Sequence, residues 1–282
     1  MQSKGKWHFS RSGDRGSRGA EADRRRAQVG FVKTEAELEK YYALKIREFP
    51  DAKMLGVMFA ADADQTRALL PAPLDQADVP GGLMFIAEYG ATNLGPGYRE
   101  AALFLRCKYQ GRPGSYCLSM PIDSAPNRLH NGRDIFGFPK KAATIHFESD
   151  AAGARGWVER LGIRFIEIKM TKTGTKDELP PTGPTYLFKA SPRIDLERGF
   201  DGPVFLAEQQ TEVRPKSIAL GTAELKFAAS EADPWNELEN AAVLMAFQID
   251  SHNRMLPGKI LAEVDGAAFL PHYFKMTDFF SG

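Results

Sequence analysis

The feature that most constrains this chain is a succession of short apolar runs broken by Gly, Pro and Asn clusters, with few long helical stretches between them. Such runs stand at 54–60, 83–89, 101–109, 115–122, 142–147, 155–160, 164–170, 186–188, 212–218, 223–228 and 260–264. The breakers include 93-NLGPG-97, 110-QGRPG-114 and 179-LPPTGP-184. Short apolar runs bounded by turn residues read as strands. They do not alternate regularly with long helices, which excludes a doubly wound parallel sheet or a (β/α)₈ barrel. The pattern predicts a mainly β (α+β) chain: a single antiparallel barrel- or cone-like β domain with a few flanking helices, spanning 31–282. No internal repeat or linker divides it.

Two helices are written in capping language. In 34-TEAELEKYYALKIREF-49, Thr34 can cap, Glu37 occupies the capping-box position and Pro50 is a stop. In 62-DADQTRALLP-71, Asp62 and Gln65 repeat the arrangement and Pro71 ends it. The segment 235-WNELENAAVLMAF-247 looks helical in its first half and strand-like in its second.

Charge separates the N-terminus from the rest. Residues 1–30 hold eight Lys/Arg against three Asp/Glu, whereas the other 252 hold 29 against 33. A basic, Gly/Ser/Arg-rich start without an apolar segment is expected to be a disordered tail rather than a secretory signal. The near-neutral total gives no pull towards nucleic acid or membrane, and no apolar run is long enough to span a bilayer. Cys107 and Cys117 fit no metal or redox spacing; they are expected to lie nearly opposite on a hairpin as reduced thiols of a cytoplasmic protein.

Several motifs fall away. The internal 176-KDEL-179 is not a retention signal, 172-KTGTK-176 lacks the phosphate-loop spacing, and the five histidines are scattered without zinc-ligand partners. No metal or nucleotide cofactor is called for.

What remains is 137-GFPKKAATIHF-147, two adjacent lysines between a proline and an apolar run. Adjacent lysines are ordinarily solvated. These two are embedded among Ile135, Phe136, Phe138, Ala142, Ala143, Ile145 and Phe147, and Pro139 stiffens the backbone before them. An amine attacks a carbonyl only when neutral, and an ordinary lysine, with a pKa of ~10.4, is neutral in roughly one molecule in a few thousand at pH 7. Two ammonium groups on opposite faces of a strand, ~10 Å apart, repel by ~1.7 kcal/mol, roughly one pKa unit; burial can supply about 3–5 units. Desolvation should therefore dominate, with the second lysine assisting. Strand alternation places Lys141 rather than Lys140 in phase with Ile145 and Phe147, unless a bulge or burial on both faces intervenes.

The segment 132-GRDIFGFPKKA-142 resembles the signature G-R-E-x-x-x-x-P-K-K of the acetoacetate decarboxylase family. The stretches 58-MFAADADQTRALLPAPL-74, 94-LGPGYRE-100, 184-PTYLFKASPRID-195 and 220-LGTAELKFAASEADPWNEL-238 are similar to the family as well. The resemblance implies Lys140 as the Schiff-base nucleophile, Lys141 as the neighbouring cation and Glu100 as an acidic active-site residue able to move protons. Tyr98 is a candidate for lining the site. Arg133, also an ion-pair partner for Asp134 under the lysine loop, is a candidate for binding substrate. The pattern departs from the family in two places. Ala52 stands where the family's decarboxylases carry an arginine, and Met84 where they carry a glutamate. Met84 thus becomes a candidate wall for a larger keto substrate.

The resemblance implies a lyase that decarboxylates a β-keto acid through a lysine imine, without metal or nucleotide, in a homo-oligomer. A second expectation keeps the imine but runs aldolase-dehydratase or cyclase chemistry on pyruvate-type keto acids. A third, of another class, is a catalytically silent barrel for a small apolar ligand.

Overall fold

The computed structural model describes residues 30–123 and 126–278. The described residues up to Lys45 form one unit and the described residues from Ile46 onward another. The described element of the first unit is helix α1, Glu35–Ala43. Its capping box is complete: Thr34 Oγ1 accepts from the Glu37 amide, and the Glu37 carboxylate accepts from the Thr34 amide at 2.8 Å. The helix is shorter than its periodicity predicts, because residues from Arg47 onward are already strand. Most of the expected tail, residues 1–29, lies outside the described residues.

The second unit is built on a single sheet. Its strands are β1 Arg47–Ala60, β2 Asp75–Gln76, β3 Gly81–Tyr89, β4 Tyr98–Tyr109, β5 Arg112–Ile122, β6 Lys140–Ala142 and β7 Thr144–Ser149. They continue with β8 Gly153–Arg160, β9 Ile163–Thr175, β10 Thr185–Lys189, β11 Val204–Gln209, β12 Thr211–Phe227, β13 Ala242–Met255 and β14 Lys259–Val264. The order is β14-β11-β10-β5-β4-β3-β1-β13-β12-β9-β8-β7, with β2 added to β4 and β6 to β5. All pairings are antiparallel except β10 and β6, which run parallel to β5. The sheet curls until β7 approaches β3 and β4. The mainly β architecture with few helices is the one the sequence predicts. Those helices are α2 (Ala63–Leu69), α3 (Pro126–Leu129) and α4 (Gly266–Tyr273). Among the described residues, no helix is long and apolar enough to cross a membrane.

Alternation along the strands gives the sheet two distinct faces. One carries the main core, with Leu55, Val57, Met84, Ile86, Leu103, Leu105 and Ile168 all fully buried. Burying each of these large side chains is worth ~1.5–3 kcal/mol. The other face carries Phe85, Tyr89, Ala102, Phe104, Met120 and Phe138, a second apolar cluster that borders a cavity.

The hairpin between β4 and β5 turns at Gln110 and Gly111, both with positive φ (50° and 79°), so Tyr109 faces Arg112. This register sets Cys117 against Phe104 and Cys107 against Gly114, not against each other. Both thiols are free and buried, and desolvation pushes each up to about 12. A thiol held protonated in this way is a packing group rather than a nucleophile.

Candidate active site

The chain leaves β5, passes through α3 and enters a π-helix at His130–Phe136. This wide turn ends at Gly137, whose φ is 89° and whose hypothetical Cβ would lie 2.5 Å from the Phe188 carbonyl oxygen. Only glycine fits there. Its amide donates to Arg133 O at 2.9 Å, and the Phe138 amide donates to Gly132 O at 3.1 Å, closing the loop. Pro139 O then accepts from the Met120 amide, and β6 aligns with β5 so that Lys140 faces Met120.

Strand β6 is only three residues long. At Ala143 the amide bonds Ile122 O, and from Thr144 onward β7 pairs with β8 instead. This break, together with burial of β6 on both faces, removes the phase conflict in simple alternation. Lys140 and Lys141 are 5% and 8% exposed and turn to opposite sides.

Lys140 lines a cavity of about 680 Å³. Its Nζ donates to Glu100 Oε2 at 2.6 Å, with both side chains buried. Glu100 sits on β4 beside Tyr98, and its other oxygen, Oε1, accepts from Tyr89 Oη at 3.0 Å. Burial, and after it the Glu100 charge, pushes the Tyr89 and Tyr98 phenols well above their ordinary range, so both remain donors. The Lys140 ammonium also lies 5.9 Å from the Phe138 ring centroid and 6.0 Å from that of Tyr98. The amine therefore has one carboxylate, aromatic walls and an apolar cavity before it.

Gly132 makes room for this lysine. A Cβ at that position would lie 2.1 Å from Lys140 Cε and 2.5 Å from Cδ. The first glycine of the signature is thus a channel for the lysine stem.

Lys141 turns away. Its Nζ lies 2.9 Å from Asp278 and 3.3 Å from Asp233, and it donates to Ala232 O. Arg160 bonds the same two carboxylates, at 2.8 Å to Asp233 and 2.6 Å to Asp278. Burial alone would push Asp278 up; the hydrogen bonds from Lys141 and Arg160 outweigh it and hold the carboxyl below its ordinary range. Two cations are set against two carboxylates in this cluster, which largely offsets the field expected of Lys141.

Of the remaining sequence candidates, Tyr98 lines the cavity, whereas Met84 and Arg133 do not. Met84 is fully buried on the opposite face of β3 from the cavity-lining Leu83 and Phe85, so alternation carries it into the main core. Arg133 projects from the exposed side of the π-helix, and its Nε lies 3.4 Å from Asp134 Oδ1, the ion pair foreseen under the lysine loop. Ala52 is buried in the cavity-side cluster. Sequence reasoning passed over Tyr89, Gly132, Phe138 and Arg128. Of these, Gly132 and Phe138 lay within the quoted signature.

The chain matches the family model described as acetoacetate decarboxylase (ADC) over residues 33–264. It is 28% identical to an acetoacetate decarboxylase of Burkholderia cenocepacia (strain HI2424) over 156 residues, covering 52% of this chain and 61% of that protein, somewhat under two thirds of its length. Among solved structures, an acetoacetate decarboxylase superposes with a TM-score of 0.69 at 21% identity, covering 77% of this chain and 89% of the other. The enduracididine biosynthesis enzyme MppR complexed with pyruvate superposes at 0.65 with 20% identity, covering 77% and 90%. At these identities the structural matches establish a shared fold.

Proposed function

Because the chain belongs to the acetoacetate decarboxylase family, we propose that it is a lyase that captures the carbonyl of a keto acid as an imine on Lys140. The observation that carries this reading is the buried Lys140 amine, 2.6 Å from Glu100, opening on an apolar cavity. Moving the shared proton from Nζ to Oε2 leaves a neutral amine, the form that can attack, and a neutral acid. The amine lone pair then attacks the substrate carbonyl carbon. Loss of water gives an iminium, which draws electrons from the adjacent carbon–carbon bond.

In a β-keto acid that bond joins the carboxylate. Its electron pair forms the enamine, CO₂ departs, and Glu100 returns a proton to carbon. Water then hydrolyses the iminium, releasing the ketone and the free amine. Lys141 serves to anchor β6, not to meet substrate. The proposed partner is a small keto acid, and the family suggests a homo-oligomer.

A second reading keeps the imine and changes the bond made or broken, as in an aldolase-dehydratase acting on a pyruvate-type acid. The apolar Ala52 in place of the family's arginine favours it. The third possibility, a silent binding barrel, has no use for a buried lysine–carboxylate pair.

Borohydride trapping tests the proposal. The protein is incubated separately with acetoacetate and with pyruvate, reduced, and mapped by mass spectrometry. A substrate adduct on Lys140 is the expected result, and CO₂ release with acetoacetate separates decarboxylation from condensation chemistry. An adduct confined to Lys141, or none on folded protein with either acid, overturns the assignment of Lys140.

A further inference from the structure

We propose that Arg128 is the carboxylate receptor of the cavity, so that this chain recognises its keto acid by a carboxylate held on α3, beside the same Tyr98 ring as the lysine. This inference rests on the proposed imine site and names what else in the cavity the substrate meets.

Arg128 is 6% exposed and lines the same cavity as Lys140. One of its terminal nitrogens, Nη2, is fully used, donating to Pro96 O at 2.8 Å and to Thr92 Oγ1 at 3.0 Å. The other, Nη1, is buried and has no hydrogen-bond partner among the described residues. No carboxylate lies within ion-pairing distance of Arg128 among the described residues. A buried guanidinium without a counter-ion is costly, and leaving one of its N–H groups unsatisfied adds to that cost. The loop at 92–96 therefore holds the arginine in one orientation at the expense of its own pairing, which is the arrangement of a preorganised anion site.

The geometry gives the ligand two ends. The Arg128 guanidinium carbon stands 5.1 Å from the Tyr98 ring centroid, and Lys140 Nζ stands 6.0 Å from the same centroid. The guanidinium carbon and Nζ thus lie within about 11 Å of each other, a span that one keto acid carrying an intervening chain can bridge between the two cavity-lining cations. The cavity volume, about 680 Å³, equals roughly twenty water volumes of ~30 Å³ each. A small keto acid such as acetoacetate leaves most of it unfilled. The surrounding Phe85, Phe104, Met54 and Met58 suit an apolar chain between or beyond the two polar ends. A carboxylate clamped by a guanidinium is stabilised in the ground state, which opposes its departure as neutral CO₂. The carboxylate on Arg128 is accordingly one that the reaction retains: in the decarboxylase reading it is a second carboxylate, distinct from the one lost as CO₂, and in the reading that makes or breaks another bond a single carboxylate suffices.

This site also compensates for Ala52. The resemblance implies an arginine there in the family's decarboxylases, and here the cation comes from α3 instead.

The test uses ligands that cannot form an imine, so it stands apart from the trapping experiment. Binding of hexanoate and of hexanamide to the full chain is measured by isothermal titration calorimetry for wild type, Arg128→Gln and Arg128→Lys. Wild type should favour the acid over the amide at least tenfold. Arg128→Gln should bring that ratio close to one, and Arg128→Lys, which keeps the charge but not the fork, should retain part of it. Taking the ratio within each variant cancels any loosening of the 92–96 loop. An absence of acid preference in wild type overturns the proposal even if neither variant folds, and so does a preference that survives in Arg128→Gln. A positive result here with no borohydride adduct on Lys140 would leave the anion site standing and remove the imine.

Discussion

Lys140 and Lys141 are neighbours in sequence but belong to different electrostatic environments. One Nζ lies 2.6 Å from the single carboxylate of Glu100 inside the cavity, while the other is shared between Asp233 and Asp278 on the far side of β6. The two therefore fail differently when removed. Lys140→Ala should abolish borohydride trapping with little change in stability beyond the loss of its pairing with Glu100. Lys141→Met leaves the buried Asp233 and the more exposed Asp278 facing Arg160 alone, and should destabilise the fold by about 3 kcal/mol in chemical denaturation. Its folded fraction should still form the Lys140 adduct with an unchanged pH midpoint. A midpoint that moves by a whole unit would restore Lys141 to the assisting role inferred from adjacency.

Gly132→Ala should separate stability from chemistry. The added Cβ collides with Lys140 Cε and Cδ, the flexible outer part of a side chain, and not with backbone. The lysine can swing aside without any shift of backbone, so the melting temperature should fall no further than it does in Lys140→Ala, which loses the same pairing. Swinging aside breaks the contact with Glu100, and a displacement on the order of 1 Å costs ~10²-fold in rate. Turnover and trapping should fall together. A variant that melts far lower yet retains its trapping rate would show that Gly132 serves the π-helix backbone instead.

Much of this site was legible because the lysine signature is contiguous and its chemistry is local. Lys140, Glu100 and Tyr98 could be named because the segments around them resemble the family, and the strands from apolar runs. Residues whose role depends on register were not legible. Whether Met84 or its neighbours Leu83 and Phe85 face the cavity depends on how β3 sits between β1 and β4. Similarly, 212–218 and 223–228 read as two strands, whereas β12 runs unbroken through Gly221, where a Cβ would lie 2.1 Å from Thr171 O on β9. The start of β1 was hidden by helical periodicity and by Pro50, which the strand passes through at an irregularity between Phe49 and Ala52. Arg128 carries no local signal, because its value comes from a loop more than thirty residues earlier in the chain.

Glu100→Gln tests the proton carrier. The amide keeps an oxygen for Tyr89 and nearly the same shape, but it cannot accept and return a proton at neutral pH. General acid–base participation is worth ~10²–10⁴-fold, so turnover should fall by that much. Lys140 should still be trapped on prolonged incubation, because its position and surroundings persist. Full turnover in Glu100→Gln, measured as product release, would assign proton transfer to water or to one of the tyrosines.

The last prediction concerns a lysine outside the site. Lys275, in the short 3-10 turn after α4, donates to Tyr116 Oη and to Cys117 O at 3.1 Å, and lies 3.9 Å from the Tyr116 ring centroid. None of these partners is a full negative charge, and desolvation lowers its amine from 10.5 to about 7. Between those two values the unfolded chain binds a proton that the folded chain has released. Folded stability should therefore rise as pH increases from about 7 towards 10, by up to ~1.4 kcal/mol per pH unit from this group. Below pH 7 both states hold the proton, and the penalty is constant and at its largest. Lys275→Met keeps the length of the stem and removes the charge. It should raise the melting temperature at pH 6–7 and flatten the rise between pH 7 and 10 that wild type shows. Parallel melting curves for the two proteins across that interval would mean that the Lys275 amine is solvated and carries no such penalty.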